Sequence, residues 1–111
     1  MVENKIVNAP YPRALGPLHQ RLNGYLGSYD RIYIGATANP WARWPEHVPY
    51  GWEKMVVLYE AYNPAIARDL EQDLIQYARE SNFMTEVMNI SPGGEGIRDD
   101  SGRNYVYVLV G

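Results

Sequence analysis

The chain has 111 residues, 46% of them hydrophobic, which suits one globular domain with a single core. It contains no cysteine, which excludes a disulfide framework, a thiolate zinc site and a cysteine nucleophile. The net charge of −3 argues against a strong non-specific polyanion binder and leaves room only for a local basic face.

Residues 1–20 carry Lys5, Pro10, Pro12 and Pro17 with no continuous apolar stretch, so neither a signal peptide nor a transmembrane helix is expected. The chain reads as soluble and cytoplasmic, with no membrane partner. Two X-Pro steps among polar residues make 1–14 an extended arm ahead of a single domain at 15–111. Leu15, Leu18, Leu22, Tyr25 and Leu26 recur at helical spacing and predict a short helix beginning near Pro17, frayed at its end by Gly24 and Gly27. Arg31 to Ala36 reads as a strand, and Lys54 to Tyr62 as a longer one after a turn at Tyr50-Gly51.

Between them, Tyr33-Ile34-Gly35 hands over to Asn39-Pro40-Trp41-Ala42-Arg43. A strand that stops at a glycine can bring its backbone close to a ligand, and Arg43, one turn into the next helix, can reach the same point. Pro45 follows Trp44 directly, so this helix is expected to end early or to restart there. That leaves His47 either as a proton relay or phosphate contact, or as a surface histidine. His19 has no supporting context. Trp41, Trp44 and Trp52 could stack on bases or pack over the sheet.

Asn63 and Pro64 supply a cap and a first-turn proline for a helix from Ala65 to Ser81. Its stripe of Ala67, Leu70, Leu74, Ile75 and Ala78 includes Glu71. A carboxylate there costs several kcal/mol unless it is paired, protonated or metal-bound. An ion pair with Arg43 or Arg68 would suffice, as would a metal held by this one carboxylate together with water and phosphate oxygens, the usual environment of Mg²⁺. Asn89 to Asn104 is rich in glycine and reads as a loop, and Tyr105 to Val110 closes the chain as a strand.

The order Tyr33-Ile34-Gly35, Asn39-Pro40, Arg43-Trp44, His47, Ala67-Arg68-Asp69-Leu70-Glu71, Asn89 and Gly93-Gly94 resembles the GIY-YIG endonuclease domain over residues 31–96. The resemblance implies an α+β fold with a small three-stranded antiparallel sheet flanked by helices. It also implies phosphodiester hydrolysis, in DNA here, with Mg²⁺ or Mn²⁺ on Glu71. The catalytic roles would fall on Tyr33, Tyr107, Arg43, Glu71 and His47, with Gly35, Asn89 and Arg43 binding substrate. The first motif departs from the family order. Gly24-Tyr25-Leu26 is a poor strand, whereas Tyr105-Val106-Tyr107-Val108-Leu109 resembles the family's first strand, as in a circular permutant. The metal would stabilise the leaving oxygen, Arg43 the developing phosphorane, and a tyrosine would deprotonate or orient water, with Tyr33 and Tyr107 both candidates. A phenol is a poor base at neutral pH unless cations lower its pKa. Two alternatives stand beside this reading: a catalytically inactive GIY-YIG-like module binding nucleic acid or protein, and an interaction subunit. So small a chain has little surface for reading bases, which points to a homodimer, a partner subunit or a structured substrate.

Overall fold

The computed structural model describes residues 1–89 and 102–111. In chain order the elements are β1 (Val2–Asn4), α1 (Leu15–Leu26), β2 (Arg31–Thr37), α2 (Pro40–His47), a 3-10 turn (Val48–Tyr50), β3 (Lys54–Ala61), α3 (Pro64–Glu80), β4 (Glu86–Val87) and β5 (Asn104–Val110). Most of the segment from Asn89 to Asn104, including Gly93, Gly94 and Gly96, lies outside the described residues.

The sheet corrects the expectation of three antiparallel strands. Five strands form one mixed sheet among the described residues, in the order β1-β3-β5-β2-β4. β5 runs antiparallel to both β2 and β3, while β1 adds in parallel to β3 and β4 in parallel to β2. The two added strands have three and two residues, too few to show an alternation of apolar and polar positions. Backbone hydrogen bonding to a longer neighbour makes them strands. The parallel track of β1 continues beyond Asn4, with Lys5 N donating to Val57 O and Val7 N to Leu58 O. Residues Val7, Ala9 and Tyr11 then pack on the larger core, and Tyr59 Oη donates to Ala9 O, so this segment lies against β3.

The two sheet faces carry different chemistry because side chains alternate along each strand. On one face Ile32, Ile34, Ala36, Val56, Val106, Val108 and Val110 join Leu18, Leu22 and Leu26 of α1 and Ala67, Leu70, Leu74, Ile75 and Ala78 of α3. On the other, Met55, Tyr107 and Leu109 form a smaller cluster, with Val2, Tyr33, Trp44 and Trp52 packed against it. A bulge in β3 between Val57 and Tyr59 sends both Leu58 and Tyr59 to the larger core and turns Glu60 opposite Tyr105.

The helix ends follow from local chemistry. Asn63 accepts a hydrogen bond from Ile66 N at 2.9 Å, and Asn39 one from Ala42 N at 3.1 Å, with proline next in both cases. α2 continues through Pro45 to His47 instead of breaking there. The lost hydrogen bond would have run from residue 45 to the Trp41 carbonyl, and both residues are exposed, so water can replace it. Among the described residues no helix is long and apolar enough to cross a membrane.

Candidate active site

The smaller face gathers the side chains of interest. Arg31, Tyr33 and Gly35 alternate on β2, and Tyr105, Tyr107 and Leu109 on β5, with Gly35 directly opposite Tyr107 and Tyr33 opposite Leu109. The Tyr107 ring lies over Gly35: a Cβ there would stand 2.5 Å from Tyr107 Oη and 2.6 Å from Cζ. The close approach expected at Gly35 is therefore filled by an aromatic ring of the protein itself. α2 crosses this face and brings His47 Nε2 to 3.0 Å from Tyr107 Oη. The His47 ring lies 5.8 Å from those of Tyr33 and Tyr107.

Arg43 arrives from the same helix. Its Nη1 meets Glu46 Oε2 at 3.4 Å, so the carboxylate it engages is one helical turn away on α2. Its Nε is buried and has no hydrogen-bond partner among the described residues. Burial works against the Arg43 charge, but the phenol of Tyr107 and the carboxylate of Glu46 more than offset it and raise its pKa. An unpaired guanidinium donor beside a phenol is a place for an anion oxygen.

Tyr107 is 1% exposed, and burial drives its pKa far above the ordinary phenol value. Tyr33 and the negative charge of Glu71 push the same way, while Arg43 pulls down. Tyr107 therefore keeps its proton at neutral pH and is not a standing phenolate base. The His47 pKa is lowered, chiefly by burial and then by Arg43, so its imidazole is neutral. Arg43 can only donate, so its charge beside the phenol oxygen favours the arrangement in which the hydroxyl donates to His47 Nε2.

Glu71 is 3% exposed and comes from α3, which covers the opposite face; its charge is nonetheless felt at the Tyr107 phenol. Among the described residues no group of three or more His, Asp or Glu side chains assembles a ligand set. Glu71 is the carboxylate that would hold a divalent ion, and an oxygen donor of this kind suits Mg²⁺ or Mn²⁺ better than a softer metal.

Asn89, named with the substrate-binding residues, lies at the edge of β2. Its Oδ1 accepts from Ile34 N at 3.0 Å and its Nδ2 donates to Ile34 O at 2.7 Å, so the amide pairs with the edge of β2 as another strand would. Arg79 holds the Asn89 carbonyl in turn.

Trp52 and Arg31 belong to the site's surroundings although no motif marked them. The Arg31 guanidinium lies over the Trp52 ring at 4.1 Å and donates to Tyr50 O at 3.0 Å, and Trp52 stands 6.4 Å from Tyr33. The available signal was the alternation that places Arg31 on the same face as Tyr33. His19, without context in the sequence, pairs with Asp73 at 2.7 Å and stacks on Tyr77, joining α1 to α3 away from this face. Set against known proteins, no protein-family model and no solved structure matches this chain.

Proposed function

We propose that the chain is a metal-dependent endonuclease that hydrolyses phosphodiester bonds in DNA, as a permuted relative of the GIY-YIG domain. The observation that carries this reading is the buried, unpartnered Nε of Arg43 beside the Tyr107–His47 pair. Supporting it, the Tyr105-Val106-Tyr107 strand lies antiparallel beside Tyr33-Ile34-Gly35, and Val110 pairs with Ile32, so the late strand ends where β2 begins.

In the proposed reaction Arg43 binds a non-bridging phosphate oxygen and neutralises charge as it develops. The attacking water gives a proton to Tyr107 Oη while the phenol passes its own to His47 Nε2, so no free phenolate is needed. The phosphorus–oxygen bond opposite the water breaks, and the leaving oxygen takes a proton from solvent. Tyr33, half-buried beside His47, orients the water and the imidazole. Glu71 would hold Mg²⁺ or Mn²⁺, whose contribution is positive charge near the leaving oxygen.

A plasmid-nicking assay with and without Mg²⁺ tests this. Wild type should nick, and Glu71→Ala, Arg43→Ala and Tyr107→Phe should each lower the rate at least about a hundredfold while melting cooperatively. A second reading, a nucleic-acid-binding module without catalysis, draws on the depth at which Tyr107 is buried. DNA binding with no cleavage under any divalent metal would establish that reading in place of the first.

A further inference from the structure

We propose that Trp41 is a stacking platform for an unpaired nucleobase next to the cleaved phosphate, so that the substrate is DNA carrying a single-stranded stretch. This rests on the endonuclease reading and specifies its substrate.

The three tryptophans have separate fates. Trp44 packs against Met55, Tyr107 and Leu109, and Trp52 is covered by the Arg31 guanidinium at 4.1 Å. Trp41 is 55% exposed and meets the Tyr105 ring edge to face, centroids 5.8 Å apart at 75°. Such a contact fixes the indole while leaving a ring face open.

The support behind it is rigid. Tyr105 Oη donates to Glu60 Oε2 at 3.0 Å, and Arg103 holds the same carboxylate oxygen at 3.0 Å. The aromatic wall is thus anchored before any ligand arrives, which lowers the ordering cost of binding.

Position ties the platform to the reacting centre. Trp41 rests on Tyr105, which precedes Tyr107 by two residues on the same face of β5, roughly 7 Å along the strand. That is close to the reach of one extended nucleotide. A phosphate on Arg43 would place a neighbouring base at Trp41, provided the base is free of a helix stack.

The charge of the protein favours the same substrate. With a net charge of −3, binding cannot draw mainly on neutralising a duplex backbone. Stacking is independent of backbone charge and tolerates any base. Duplex DNA presents no free base face to a lone indole, whereas a frayed end, flap or gap does.

The test measures binding by fluorescence anisotropy in EDTA to three probes: a blunt duplex, the same duplex with a single-stranded tail, and one whose tail is abasic. Trp41→Ala should weaken binding to the tailed duplex about tenfold and alter binding to the other two less than about twofold. Trp41→Phe should retain most of the affinity. Melting curves of both variants should match wild type, since the side chain is exposed. Equal loss on all three probes, or no loss on the tailed one, overturns the proposal. Cleavage of the tailed duplex by wild type, measured in parallel with Mg²⁺, separates the two readings. Cleavage without tail-dependent loss in Trp41→Ala removes only the platform, and absence of both binding and cleavage by wild type removes both.

Discussion

Replacing Gly35 with alanine should destabilise this protein strongly, although glycine to alanine inside a strand ordinarily stabilises by about 0.5–1 kcal/mol. Gly35 is not among the positive-φ residues, so its backbone would accept alanine, and the obstacle is purely steric. The new methyl would stand 2.5 Å from Tyr107 Oη, 2.6 Å from Cζ and 3.1 Å from Cε1. Tyr107 cannot swing aside, being 1% exposed and packed among Met55 and Leu109. Overpacking of this kind costs about 1–3 kcal/mol. Displacing the phenol from His47 adds about 0.5–1.5 kcal/mol for the hydrogen bond. The sum, about 1.5–4.5 kcal/mol, corresponds to a fall in Tm of roughly 6–30 °C for a domain of this size. Urea unfolding followed by tryptophan fluorescence would measure it. In a Tyr107→Leu background, where ring and hydroxyl are gone, the same substitution should cost less than about 1 kcal/mol. Tyr107→Phe should not rescue, because the Cζ contact remains. If Gly35→Ala costs under about 1 kcal/mol in the wild-type background, or equally in both, the ring-over-glycine account is wrong.

The lowered pKa of His47 makes stability pH-dependent: below the ordinary histidine value the unfolded chain binds a proton that the folded one refuses. Stability should therefore fall as pH drops below about 6.5, and His47→Gln should flatten that part of the profile; an unchanged slope would contradict a buried neutral imidazole. Asn89→Ala removes both partners of Ile34, so it should cost about 1–3 kcal/mol and speed hydrogen exchange at the Ile34 amide selectively. Protection equal to wild type would show that water replaces the amide. Deleting residues 105–111 should abolish cooperative unfolding, since β2 and β3 each pair with β5 and not with each other; a sigmoidal melt of the truncated chain would refute this.

What could be read in advance was local. The Asn63-Pro64 start of α3 and the position of Glu71 on its buried stripe are encoded within a few residues, and the buried Glu71 follows directly. Strands β2, β3 and β5 are long enough to show themselves by alternation and β-branching. What stayed hidden depends on pairing across the chain. β1 and β4 exist because longer strands offer free edges, and neither has a pattern of its own. The seating of the Tyr107 ring on Gly35 is set by a register between residues 72 positions apart. The pairing of the Asn89 amide with Ile34 also stayed hidden, because nothing in a sequence marks an amide that imitates a strand. The Arg43–Glu46 pair went unread because Pro45 was expected to interrupt the helix that holds both residues.

The position of β5 between two strands made much earlier has a consequence for biosynthesis. As the chain emerges from the N-terminal end, β1 can pair with β3 and β4 with β2, but no strand joins these halves until residues 104–110 are made. Until then β2 and β3 each present an open, apolar edge of seven or eight residues to other chains. The nascent protein is therefore most prone to self-association in the interval just before its last strand is synthesised. Chains stalled in that interval should be found with chaperones or in aggregates, never as a cooperatively folded domain.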